Sequence, residues 1–130
     1  MKTKVTKIII QRAEGMPSVD DMTVRAFASW DEAHDHLVRI SHTAPEPKTG
    51  TYDKCDFSIR FADGELYEGR FDLQKGGRDG GETLQEHVRN FLLFYAGKRK
   101  PAHFKTEEQY LAFTATHRDE AVKYLETYDI

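Results

Sequence analysis

Between Tyr52 and Leu73 apolar and polar residues alternate on both sides of one turn, and nothing else in the chain restricts its fold as much. Cys55, Phe57, Ile59 and Phe61 occupy one side of the alternation; Lys54, Asp56, Ser58 and Arg60 occupy the other. After Asp63-Gly64 the pattern resumes, with Tyr67, Phe71 and Leu73 set against Glu68, Arg70 and Asp72. A period of two belongs to a half-buried strand, so the segment reads as a β-hairpin with one apolar and one polar face. Loop length decides its register. A two-residue loop places Phe57 opposite Arg70 and Cys55 opposite Asp72. A three-residue loop, Ala62 to Gly64 with Gly64 in the left-handed bulge position, places Ile59 opposite Tyr67 and Cys55 opposite Phe71. It also matches Lys54 with Asp72 and Asp56 with Arg70, and such opposite-charge pairs are favourable by roughly 0.2–1 kcal/mol. The bulged register is preferred on both faces.

Around this hairpin the rest of the chain can be placed. Lys4 to Arg12 is β-branched and reads as a strand. Gly15, Pro17 and Asp20-Asp21 interrupt it, and Met22 to Ala28 supplies a second strand, hairpin-paired with the first. Ser29 with Glu32 forms a capping box, after which Ala33, Leu37 and Ile40 recur at helical spacing to a helix end near His42. Thr43 to Thr51, with two prolines and a glycine, is a loop. Lys75 to Gly81 is a second, glycine-rich loop. Thr83 with Glu86 caps a helix carrying Leu84, Val88, Phe91, Leu92 and Tyr95 on one stripe and closed by Gly97. Thr106 with Gln109 opens a third helix with Tyr110, Leu111 and Phe113, and Thr116 restarts a fourth with Ala121, Leu125 and Tyr128 on one side. The order is ββαββααα: an α+β fold in which an antiparallel sheet of two hairpins packs against helices. A length of 130 residues suits one domain, residues 1–130, with a real core.

Several classes of function find little footing. The formal net charge is −3, so the protein as a whole is no electrostatic nucleic-acid binder, and any such role needs a local patch. Cys55 is the single cysteine; it excludes an internal disulfide, fits a reducing, cytoplasmic setting, and falls on the apolar side of its strand. His34 and His36 lie among Asp31, Glu32 and Asp35, but residues two apart on a helix diverge by about 200°, so a solvated helix face is expected rather than a metal site. The Gly76 to Gly81 loop lies between a strand and a capped helix, yet it lacks the lysine and hydroxyl of a phosphate-binding loop and carries Asp79 and Glu82. The acidic residues of the hairpin are offset by Lys54 and Arg70. No cofactor motif, metal site or catalytic group emerges, and the chain is expected not to be an enzyme.

Two surfaces remain. One is the polar face of the hairpin: Lys54, Asp56, Arg60, Glu68, Arg70 and Asp72. Gly69 either leaves Arg70 room to reach outward or relieves crowding over Phe57. The other is Lys98-Arg99-Lys100, with Arg89, His103 and Lys105 nearby and Tyr95 and Phe104 flanking it. Cations are favourable at a helix C-terminus without any function; the same run fits a phosphate backbone or an acidic partner.

Tyr52-Asp53-Lys54, Asp56-Phe57, Asp63-Gly64, Tyr67 and Gly69-Arg70-Phe71-Asp72-Leu73, followed by Ala96-Gly97 and Pro101-Ala102, resemble the pattern of the large polyvalent protein-associated domain family, the twenty-fifth of that numbered series. The resemblance spans about Trp30 to Phe113. It implies a phage, plasmid or integrated-element setting and an accessory role in a host cell, with no established activity. The leading expectation is therefore a small binding protein of a mobile genetic element, directed at a host or element-encoded protein, with binding or inhibition of a host defence complex as one form that role could take. The alternative is a nucleic-acid-associated protein using Lys98 to Lys100.

Overall fold

A computed structural model describes residues 1–12, 24–41, 54–73 and 81–130. The loop expected over Thr43 to Thr51, Tyr52 and Asp53 of the family-like motif, and most of the glycine-rich stretch lie outside the described residues. The elements run β1 (Val5–Arg12), β2 (Arg25–Phe27), α1 (Trp30–Ser41), β3 (Lys54–Phe61), β4 (Leu66–Asp72), α2 (Leu84–Tyr95), α3 (Glu107–Thr114) and α4 (Arg118–Thr127). This is the expected α+β order. Two compact units divide the chain: Lys4–Leu84, and Met1–Thr3 together with Gln85–Ile130.

In the first unit the strands form one antiparallel sheet in the order β2-β1-β3-β4. The β3–β4 register pairs Cys55 with Phe71, Ile59 with Tyr67, Lys54 with Asp72 and Asp56 with Arg70. Phe61 N–H donates to Glu65 O at 3.0 Å, leaving Ala62, Asp63 and Gly64 as the loop, and Gly64 has φ +91°. The Asp63 carboxylate accepts from Glu65 N–H at 3.0 Å. Each element of the bulged-register argument is present.

Sequence reading did not foresee the pairing of β1 with β3, which joins the two hairpins. Ile8 faces Ile59 and Ile10 faces Phe57, so the two apolar stripes become one. One irregularity adjusts the end of β1. Val5 pairs with Phe61 and Lys7 with Arg60, leaving Thr6 as the extra residue, and its hydroxyl donates to Arg60 O at 3.2 Å. The bulge reverses the alternation, so Val5 falls on the side of Ile8 and Ile10. The buried side of the sheet comprises Ile8, Ile10, Cys55, Phe57, Ile59, Phe61 and Phe71, with Leu73 just past β4.

Helix α1 packs on β1 and β2. Glu32 N–H donates to Ser29 Oγ at 3.3 Å, and the Glu32 carboxylate accepts from Ala28 N–H at 3.0 Å, so the expected capping pair forms. The solvated face expected for both histidines is corrected at His36. That residue is buried, its ring 5.0 Å from Phe27, and Arg39 Nη2 lies 2.8 Å from its Nδ1. His36 sits three residues from Ala33 and four from Ile40, on the helix's apolar stripe.

The second unit is built around aromatic rings. Helix α2 ends as Gly97 requires: Lys98 N–H donates to Leu93 O at 3.0 Å, Gly97 N–H donates to Phe94 O at 3.2 Å, and Gly97 has φ +78°. The paired bonds make a Schellman end. Tyr110, fully buried on α3, completes it: its hydroxyl donates to Phe94 O and accepts from Arg99 N–H at 3.1 Å. Thr106 caps α3 by accepting from Gln109 N–H at 3.1 Å. Helix α4 starts after His117, which makes no side-chain capping bond, rather than at Thr116. At the chain ends, Thr3 forms a parallel bridge with Tyr128, closed by Thr3 N–H to Thr127 O at 2.8 Å and Asp129 N–H to Thr3 O at 2.9 Å.

Candidate functional site

Strand alternation places the six hairpin residues on the face of β3 and β4 opposite the core. Arg60, Glu68 and Arg70 are exposed; Lys54, Asp56 and Asp72 are half-buried. Because β3 is central, β1 extends this face, with Gln11 opposite Asp56, Ile9 opposite Ser58 and Lys7 opposite Arg60. The face therefore consists of rows crossing three strands.

The rows differ in electrostatics. Arg70 Nε donates to Asp56 Oδ1 at 2.8 Å, with the two side chains 58% and 48% exposed. Lys54 Nζ lies 3.9 Å from Asp72 Oδ1. Both pairs are the cross-strand matches that fixed the register. Such surface pairs contribute about 0–1 kcal/mol each, so they align the strands more than they stabilise them. At the turn end the match fails. Lys7 and Arg60 are direct cross-strand partners, both are exposed, and among the described residues neither has an ion-pair partner. Like charges in that position are unfavourable.

The role of Gly69 is settled by the ring opposite it. A Cβ at Gly69 would fall 2.7 Å from Phe57 Cζ and 2.9 Å from Cε2. Gly69 therefore accommodates Phe57 on the apolar side, while Arg70 lies across the face to Asp56 instead of reaching outward.

Lys98, Arg99 and Lys100 belong to the second unit and are all exposed. They are also held. Arg99 donates to the Asn90 side chain, and Lys100 Nζ donates to Phe104 O at 3.0 Å. Sequence reasoning named His103 and Phe104 beside this run but missed the exposed Phe113 ring that Phe104 supports. The Phe104 ring lies 4.5 Å from His103 and 5.4 Å from Phe113, and Phe113 on α3 is 59% exposed. The isolated polarity of α3, with Glu107 and Glu108 in its first turn, gave no sign of this.

Cys55 is buried. Among the described residues no group of three or more His, Cys, Asp or Glu is arranged to hold a metal ion, and no helix is long and apolar enough to cross a membrane. No protein-family model matches the chain, and no curated protein or solved structure matches it significantly.

Proposed function

We propose that this chain is a non-enzymatic, cytoplasmic binding module of a mobile genetic element, and that the polar face of its sheet docks a protein with a complementary acidic patch. The observation that carries this reading is the Lys7–Arg60 row. Two exposed cations stand directly opposite each other without an ion-pair partner among the described residues, an arrangement that costs stability in the isolated chain. An acidic group laid across that row would turn the repulsion into attraction. Two rows along the same face, beyond Ile9, Ser58 and Glu68, the Asp56–Arg70 pair offers a hydrogen-bonded donor and acceptor, and arginine is favoured in binding hot spots. The family-like motif, which includes Lys54, Asp56, Arg70 and Asp72, supplies the mobile-element setting, and inhibition of a host defence complex is the role that setting favours.

Arg60→Gln tests the reading. It should leave thermal stability unchanged or slightly raised, because a repulsion is removed, while weakening retention of the partner from nuclease-treated host lysate. Undiminished retention would remove Arg60 from the interface. A nucleic-acid partner is the second reading, favoured by the exposed Phe113 ring, which contacts Phe104, the residue whose carbonyl accepts from Lys100.

A further inference from the structure

We propose that the second unit binds single-stranded nucleic acid, with Phe113 as a base-stacking platform and Lys98, Arg99, Lys100 and Lys105 as phosphate contacts. The proposal rests on the nucleic-acid reading and names its substrate class.

Charge defines the site. Between Glu86 and Glu107 the chain has no acidic residue, whereas Arg89, Lys98, Arg99, Lys100 and Lys105 all fall within that interval. A cationic strip in a chain of net charge −3 is a local field for a phosphate backbone.

Aromatic geometry specifies the kind of nucleic acid. Phe113 is 59% exposed on α3, and two rings support it: Phe104 at 5.4 Å and Phe94 at 6.0 Å. Its helix neighbours three and four residues back are Tyr110 and Gln109, so Glu107 and Glu108 lie off its stripe. Lys100 Nζ bonds Phe104 O at 3.0 Å, and the exposed His103 ring stands 4.5 Å from Phe104. A cation, an imidazole and a supported phenyl ring are thereby linked through one residue, Phe104. Tyr110, bonded to Arg99 N–H at 3.1 Å and to Phe94 O, anchors the strip to the helix that carries Phe113. A ring presented this way stacks on an unpaired base, which a duplex does not offer, and cations beside aromatics are the composition of single-strand grooves.

The test is fluorescence anisotropy of the whole chain with a labelled oligothymidine and, separately, with a duplex of equal length, across a salt series. The expected result is tighter binding of the single strand, with log K falling against log salt at a slope of about −2 to −3 for three to four phosphate contacts. Phe113→Ala should weaken binding by roughly five- to a hundred-fold at unchanged slope, and Phe113→Tyr should restore it. Replacing Lys98, Arg99 and Lys100 by Gln should reduce the slope by about 2. Melting curves confirm that each variant is folded. Absence of binding to both single strand and duplex at low salt overturns the proposal and the nucleic-acid reading together, and binding of the duplex alone overturns the proposal only. Equal binding of duplex and single strand, indifferent to Phe113→Ala, retains that reading and overturns this proposal. Displacement of the oligothymidine by polyglutamate at matched charge would assign the strip to an acidic protein and overturn it as well.

Discussion

Replacing Gly69 with alanine isolates one packing contact in the centre of the hairpin. Gly69 faces Phe57 across β3 and β4, and an added methyl would meet the ring at 2.7 and 2.9 Å. Carbon atoms in favourable contact are about 3.5–4.0 Å apart, so the ring must withdraw by about 1 Å. It has little space to do so, because Phe57 is buried and stacks near Tyr67 at 6.2 Å. Overpacking of this kind costs about 1–3 kcal/mol. Replacing a strand glycine recovers about 0.5–1 kcal/mol of backbone entropy. The net expectation is a loss of about 1 kcal/mol, read in a urea titration as a lower midpoint with unchanged slope. Phe57→Leu in the same chain shortens the opposing side chain, so the double variant should be less destabilised than the sum of the singles, by at least about 0.5 kcal/mol. If Gly69→Ala were as stable as the parent, or the two changes were additive, the steric account of Gly69 would be refuted.

The turn and the second unit give independent checks. At Gly64 an added Cβ meets nothing within 4 Å, so only φ +91° resists substitution; Gly64→Val should cost about 1–2 kcal/mol, and Gly64→Asn much less. Equal melting temperatures for parent and valine variant would contradict the left-handed turn. Tyr110→Phe removes the hydroxyl that serves Phe94 O and Arg99 N–H, with an expected loss of about 1–3 kcal/mol in thermal or chemical unfolding; a neutral result would show that those backbone groups find other partners.

What the sequence made legible depended on rules that act locally. Loop length determines strand parity, and only one parity put Cys55 opposite Phe71 and Asp56 opposite Arg70, so the hairpin could be assigned residue by residue. Gly97 marked a helix end for a similarly local reason: the left-handed residue there is most often glycine. The β1–β3 pairing is different. It joins segments separated by α1, and several registers of two alternating strands satisfy the same pattern until the bulge at Thr6 is known. Some signals were present but misread. His36 shares a helical stripe with Ala33 and Ile40, yet its charge-rich neighbours directed attention to solvent. Gly69 precedes Arg70 by one residue and so projects to the opposite face, which makes it irrelevant to that guanidinium. The Lys7–Arg60 row was invisible for a topological reason: Lys7 joins the hairpin's polar face only because β3 is central. Tyr110's part in closing α2, eleven residues from Arg99 in sequence, likewise required the fold.

The central claim is that the charge pattern on the sheet's polar face is read by a protein partner, and a charge exchange tests it most directly. Asp56→Arg combined with Arg70→Asp preserves an opposite-charge cross-strand pair while inverting the pattern shown to solvent. Both side chains are about half exposed, so the exchange should change stability by less than about 1 kcal/mol. The measurement is retention of the exchanged and parent chains' partner from nuclease-treated host lysate, alongside their melting curves. The account predicts retained stability and lost partner. Equal retention by both chains, at equal stability, would contradict it.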